Sequence, residues 1–137
     1  MGEGSWIGLD VHARSVVAAV IDEATGEVVV ARAPVGVGEL VAWVRSHHGP
    51  VRAAYEAGST GFGLSRALEA TGVGCVVAAP SLIPRSVASR GRKRDATDAE
   101  LLARALRRGE LVGVRVPDAR MRRHGIWCVR GRTRVAI

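Results

Sequence analysis

Along the first third of the chain apolar residues alternate with small or polar ones; further on they recur at helical spacing, and this change of period organises the sequence. Trp6–Val11, Val16–Ile21 and Glu27–Ala33 read as strands, with turn chemistry in Asp22–Gly26, so the chain opens with an antiparallel meander. Val37, Leu40, Val41 and Val44 share one helical face in a segment from Val37 to His47, which Gly49-Pro50 stops before a short strand from Val51 to Tyr55. Ser59 or Thr60 can cap a helix running to about Thr71, with Leu64, Ala67 and Leu68 inward, and Gly72 ends it before a strand over Gly74–Ala79. Pro80 and Pro84 then interrupt the pattern. Arg85–Arg94 is basic and without strong period, which reads as an exposed connection into a helix from Asp95 to about Arg108.

Three antiparallel strands followed by helix, strand, helix, strand and helix predict an α/β fold, a ribonuclease-H-like (RuvC-like) mixed sheet flanked by helices. One domain over residues 5–118 is expected. The tail over 119–137 holds many arginines and no sustained period, and is expected to be poorly ordered. Composition agrees with a single core: 47% of the 137 residues are hydrophobic and only 4% aromatic, so Val, Ala and Leu must fill it. Cys75 and Cys128 stand apart from any second Cys or His at ligand spacing, so neither a zinc site nor a disulfide framework is indicated. The start at Met1-Gly2-Glu3-Gly4 has no basic region followed by an apolar one, and no apolar run approaches the roughly 18 residues of a membrane helix. The expectation is a cytoplasmic chain with no membrane partner.

The formal net charge of +7 favours a polyanionic partner, nucleic acid first. GC-rich coding is the competing explanation, since Lys93 is the sole lysine among the cations. Charge alone decides nothing.

Four carboxylates are conspicuous by their places. Asp10 ends the first strand, on the face opposite Ile7, Leu9 and Val11, and Glu56 ends the fourth in the same manner, ahead of a glycine-bearing run. Asp95 and Asp98, three apart at the start of a helix, share one face that Leu102 and Leu106 continue. If that helix packs at the edge where Asp10 and Glu56 emerge, four hard oxygen donors converge, and their repulsion calls for a cation such as Mg²⁺ or Mn²⁺. Two such ions roughly 4 Å apart can clamp the attacking and leaving oxygens of phosphodiester cleavage.

Each residue also has an ordinary explanation. Asp95 can serve as a helix N-cap with Asp98 in the first turn, Asp10 can bond its own turn toward Ser15, and Glu56 can pair with a surface arginine. His12 shares Asp10's face and could stand behind a metal ligand or touch phosphate, although a solvated loop histidine is the more common case. Arg90, Arg92, Lys93 and Arg94 are either a solvated linker or a clamp that holds a nucleic-acid backbone over the acidic cluster.

Three motifs then fall in order: Ile7-Gly8-Leu9-Asp10-Val11-His12, Tyr55-Glu56-Ala57-Gly58-Ser59-Thr60-Gly61 and Lys93-Arg94-Asp95-Ala96-Thr97-Asp98-Ala99. Together they resemble the insertion-sequence-110 transposases, relatives of the Piv-type DNA invertases, over roughly residues 5–118. The resemblance implies a RuvC-like N-terminal domain whose metal tetrad would be Asp10, Glu56, Asp95 and Asp98. It also implies DNA as the substrate, a guide RNA for part of the family, and a homo-oligomer in the full-length form. Family members carry a second domain with a serine nucleophile that has no counterpart here, and the tail from Ala119 departs from the helix expected there, so the chain reads as truncated. The alternatives are a non-catalytic remnant and a RuvC-like resolvase or nuclease using the same carboxylates. A sugar or acetate kinase is a weaker rival, because His12 stands where close backbone approach to a nucleotide wants glycine, and two lobes do not fit in this length.

Overall fold

The computed structural model describes residues 4–58, 61–79, 91–114, 128–129 and 132–135, with 91–95 and the last two segments given by backbone alone. The strands are β1 (Ser5–Val11), β2 (Val16–Asp22), β3 (Val28–Ala33), β4 (Val51–Glu56) and β5 (Gly74–Ala78). They form one sheet in the order β3-β2-β1-β4-β5. β1 is antiparallel to β2, and β2 to β3, while β1, β4 and β5 run parallel. Helices α1 (Val37–Arg45) and α2 (Gly63–Ala70) cover one face and α3 (Gly91–Arg108) the other. This is the mixed, helix-flanked α/β sheet of a ribonuclease-H-like fold. Beyond it, Cys128–Val129 and Arg132–Val135 pair as a short antiparallel ladder, β6 and β7. The rest of the 119–137 tail lies outside the described residues. No helix among the described residues is long and apolar enough to cross a membrane.

Strand alternation sorts the core into two layers. Ile7 and Leu9 of β1, with Ala53 and Tyr55 of β4, face Leu40, Val41 and Val44 of α1 and Leu64 and Leu68 of α2. On the other face Ala19 and Ile21 of β2 meet Ala99 and Ala103 of α3, with Trp6 packed beside them. Small residues dominate this second layer and bring the helix close to the sheet. The closest approach is at Gly8: a Cβ built there would overlap the Ala99 carbonyl oxygen and lie 2.6 Å from Ala103 N and 2.9 Å from Leu102 Cβ. The backbone of α3 thus rests directly on the backbone of β1.

Two helix starts differ from the sequence expectation. α2 begins at Gly63, with Phe62 at its N-cap and no side chain of its own capping it, so Ser59 and Thr60 lie upstream of it. α3 begins at Gly91, four residues before Asp95, and its first turn holds no acidic residue. Arg92, Lys93 and Arg94 are therefore helical and not part of a connection. Cations oppose the helix dipole at an N-terminus, which is why the sequence places the boundary at Asp95; the good helix propensity of Arg and Lys and the packing of the downstream stripe outweigh that cost.

The sheet's two edges are treated differently. At β5 the segment after α3 adds to the edge, with Val114 N–H donating to Val77 O at 2.6 Å and Ala79 N–H to Val112 O at 3.0 Å. β3 is the outer strand on the opposite side, and its Val29 and Val30 are exposed.

If the seat at Gly8 is as tight as this, Gly8→Ala must push α3 off β1. Overpacking of this kind costs about 1–3 kcal/mol, read as a lower midpoint in urea unfolding, and a variant as stable as the parent would contradict the contact.

Candidate functional site

Register places the two strand-borne carboxylates side by side. β1 and β4 pair in parallel up to Leu9 opposite Tyr55, and Asp10 and Glu56 are the next residue of each strand. Parallel neighbours stand about 4.8 Å apart. Both belong to the face that carries α3, because Ile7, Leu9 and Tyr55 look the other way into the α1–α2 layer. In open sheets of this kind ligands bind beyond the carboxyl ends of the strands, and Asp10 and Glu56 stand at that edge.

The direction of α3 brings Asp98 toward the same edge. Near the helix's C-terminal end, Arg107 Nε donates to Glu23 Oε1 at 3.0 Å, and Trp6 Nε1 donates to the same oxygen at 2.7 Å, so this end lies over the start of β1. One turn or two upstream, Ala99 and Ala103 straddle Gly8. The helix therefore runs opposite to β1, and its N-terminal half reaches the strand's carboxyl end. Asp98, Leu102 and Leu106 are buried, the stripe that the spacing predicts, with Asp98 only 8% exposed. Asp95 lies one turn further toward the edge on that stripe, in the second turn of α3, where an N-cap role no longer applies. Its side chain lies outside the described residues, as do the side chains of Arg92, Lys93 and Arg94 and the whole of Arg90.

His12 belongs to this site more closely than a solvated loop histidine would. Its Nε2 lies 3.1 Å from Asp10 Oδ2, with the Asp10 side chain 15% exposed and the ring half-exposed. The turn that carries it closes through the backbone, His12 N–H donating to Ser15 O at 2.8 Å. The signal in the sequence was the two-residue spacing on one strand face. Among the described residues, no three His, Cys, Asp or Glu side chains form a group close enough to hold one metal ion. The donors that gather at the edge are nonetheless carboxylates, the hard oxygen ligands that suit Mg²⁺ or Mn²⁺.

Tyr55 ties Gly61 and the start of α2 to β4 from beneath, a contact between positions that no local sequence pattern links. The fully buried Tyr55 hydroxyl donates to Gly61 O at 2.9 Å and accepts from Ser65 N–H at 3.2 Å. The second bond caps the third residue of α2, which supplies no capping side chain. Gly61 itself holds φ +69°, the left-handed region that favours glycine. Burial pushes the Tyr55 phenol up to about 12, the Ser65 amide opposing it.

Two proteins show similarity to the chain, and one family profile covers most of it. The transposase family with a DEDD signature, of the IS110 type, matches residues 7–130. A Sinorhizobium fredii protein, y4qE, named provisionally as a transposase, is 55% identical over 64 residues, covering 47% of this chain and 16% of that protein. The transposase for insertion sequence element IS1533 of Leptospira borgpetersenii is 30% identical over 106 residues, covering 74% of this chain and 30% of its own length. The chain thus spans less than a third of either relative. No solved structure matches it significantly.

Tyr55 is the one tyrosine in the chain, so its titration can be followed by tyrosinate absorbance. A folded-state value raised above the ordinary value near 10 means that the contribution of the neutral phenol is complete below pH 10 and is lost as pH rises toward about 12. The folded chain should titrate near that upper value, and Tyr55→Phe, which leaves both partners unsatisfied, should cost about 1–3 kcal/mol. A midpoint near 10, with circular dichroism still native, would contradict the buried clamp.

Proposed function

The chain belongs to the IS110-type DEDD transposase family, and on that premise we propose that it is the metal-dependent nuclease-like part of a DNA recombinase, with Asp10, Glu56, Asp95 and Asp98 as its acidic site. The observation that carries this reading is the shared edge: two strands in parallel register carry Asp10 and Glu56 at their carboxyl ends, and α3 crosses above them with the buried Asp98 on its inner stripe. A divalent cation is the partner such a set of carboxylates calls for. When bound there, Mg²⁺ or Mn²⁺ would supply charge stabilisation for the attacking and leaving oxygens of phosphodiester cleavage.

The chain's own residues would then have separate tasks. Asp10, Glu56, Asp95 and Asp98 would hold the cation. His12, through its contact with Asp10 Oδ2, would fix the rotation of that carboxylate. Tyr55 would keep the loop after Glu56 in place and so hold the strand end rigid. Arg90, Arg92, Lys93 and Arg94 would receive the nucleic-acid backbone. In support, Arg92, Lys93 and Arg94 occupy the first turn of α3, where their charge adds to the positive end of the helix dipole, and an anionic phosphate relieves both. DNA is the substrate implied by the family. Joining of strands, a guide RNA in part of the family and assembly into a homo-oligomer would belong to the complete transposase.

A second reading is a domain that binds nucleic acid without cutting it. What favours it is that, among the described residues, which leave out the Asp95 side chain, Asp10, Glu56, Asp98 and His12 do not close into a three-ligand group.

Calorimetric titration of Mg²⁺ and Mn²⁺ separates the two. The cleaving domain predicts saturable binding that Asp10→Ala and Asp98→Ala each reduce at least tenfold, with far-UV circular dichroism and unfolding midpoint maintained, since repelling carboxylates do not hold the metal-free fold together. Absence of binding by the parent chain would leave the non-cutting domain, and unfolding of either variant would assign that carboxylate a structural role.

A further inference from the structure

A second cationic feature lies at the far end of α3 from the acidic edge. Arg104, Arg107 and Arg108 line a cavity of about 270 Å³ whose remaining wall is the apolar Ile21 of β2. Two of the guanidiniums are held in place by carboxylates. Arg104 Nη2 lies 2.7 Å from Glu100 Oε2, and Arg107 Nε lies 3.0 Å from Glu23 Oε1. Arg52 is close by, stacked 4.9 Å over the Trp6 ring whose indole N–H shares Glu23 Oε1 with Arg107. Each guanidinium brings five N–H donors, more than these contacts use.

Favourable placement at a helix C-terminus accounts for some of this charge, because the dipole there amounts to about half a negative charge. It does not account for three guanidiniums gathered around one cavity and set against two carboxylates. Among the described residues, the wall has no aromatic face against which a base or nucleoside could stack. What it offers is a mouth of planar, preorientated N–H forks, the geometry that suits phosphate oxygens.

We propose that the Arg104–Arg107–Arg108 cavity is a phosphate anchor for a nucleic-acid backbone that runs along α3 to the acidic edge. The inference rests on the proposed function for its direction but on separate residues for its site. From Arg94 to Arg107 the helix rises roughly 20 Å at about 1.5 Å per residue. A duplex lying along it spans about six base pairs over that length, at about 3.4 Å each. The anchor thus grips the substrate away from the carboxylates and sets its register at the edge. The contact is with the phosphodiester, so DNA and RNA share the chemistry.

The test is fluorescence anisotropy with the full chain and no divalent metal, using a labelled 20-base-pair DNA duplex and an RNA hairpin of about equal length, from about 50 to 300 mM salt. The double variant Arg104→Gln/Arg108→Gln removes two charges. Arg45→Glu, exposed on α1 across the sheet, changes the net charge by the same amount and serves as the control. The anchor predicts at least a tenfold weaker Kd for the double variant and a salt slope smaller by about one to two, at about 0.9 per phosphate contact. Arg45→Glu should change Kd by less than about threefold with its slope unaltered. A larger loss on the duplex or on the hairpin identifies which backbone the anchor holds. Equal effects of the two variants, or none, overturn the anchor while leaving the proposed function standing; a parent chain that binds neither probe overturns both. Should the double variant fail to fold, Arg108→Gln alone, outside both ion pairs described above, decides the same question.

Discussion

β1 lacks a side chain at one place on its α3 face, and the position of the helix follows from that absence. Gly8 lets the turn from Ala99 to Ala103 lie on bare strand backbone, closer than any Cβ would permit. Ala19 on β2, packed with the same Ala99 and Ala103, extends this close surface. Because packed interiors tolerate little change in volume, this seat fixes α3 both in height above the sheet and along its axis. The axial position matters most: a helix displaced by one turn would carry Asp98 about 5 Å from where the strand ends place Asp10 and Glu56.

The opposite end of the helix confirms its direction through different chemistry. Trp6 and Arg107 both donate to a single oxygen of Glu23, and the Trp6 indole N–H in particular holds the Glu23 carboxyl below its ordinary range. An exposed contact of this sort contributes little stability. Its value is geometric, since it ties the C-terminal end of α3 to the start of β1 while Gly8 fixes the middle. With both points set, the carboxylate edge and the arginine cavity become the two ends of one helix. The cationic first turn and the arginine-rich last turns then lie at the two ends of one helix, the arrangement that the proposed polyanion path requires.

Much of the fold was legible in the residues. The two periods of apolar positions gave five strands and three helices in the right order, and the alternation in β1 and β4 assigned Asp10 and Glu56 to a common face. The remaining features depend on contacts distant in sequence. No local pattern announces that a tyrosine ten residues upstream caps α2, so Ser59 and Thr60, good capping residues, drew the boundary too early. The start of α3 differs for the opposite reason: local electrostatics favours Asp95, and the helix begins earlier among cations that the dipole disfavours. Nothing in its immediate neighbours distinguishes Gly8 from the other glycines; the helix resting on it does. Of the candidate site, the places of Asp10, Glu56 and Asp98 could be anticipated, whereas the approach of His12 to Asp10 required the turn at His12–Ser15 to be seen closed.

The central claim is that α3, seated on Gly8, brings Asp98 to the edge that Asp10 and Glu56 share. Paramagnetic broadening by Mn²⁺ in amide-resolved NMR tests it most directly, because the effect falls steeply with distance from the ion. At low Mn²⁺ the amides of Asp10–His12, Glu56–Gly58 and Asp98–Ala99 should broaden together, while those of β3 and α1 stay sharp. Broadening confined to one of these three segments, or spread evenly over exposed carboxylates, would contradict the account.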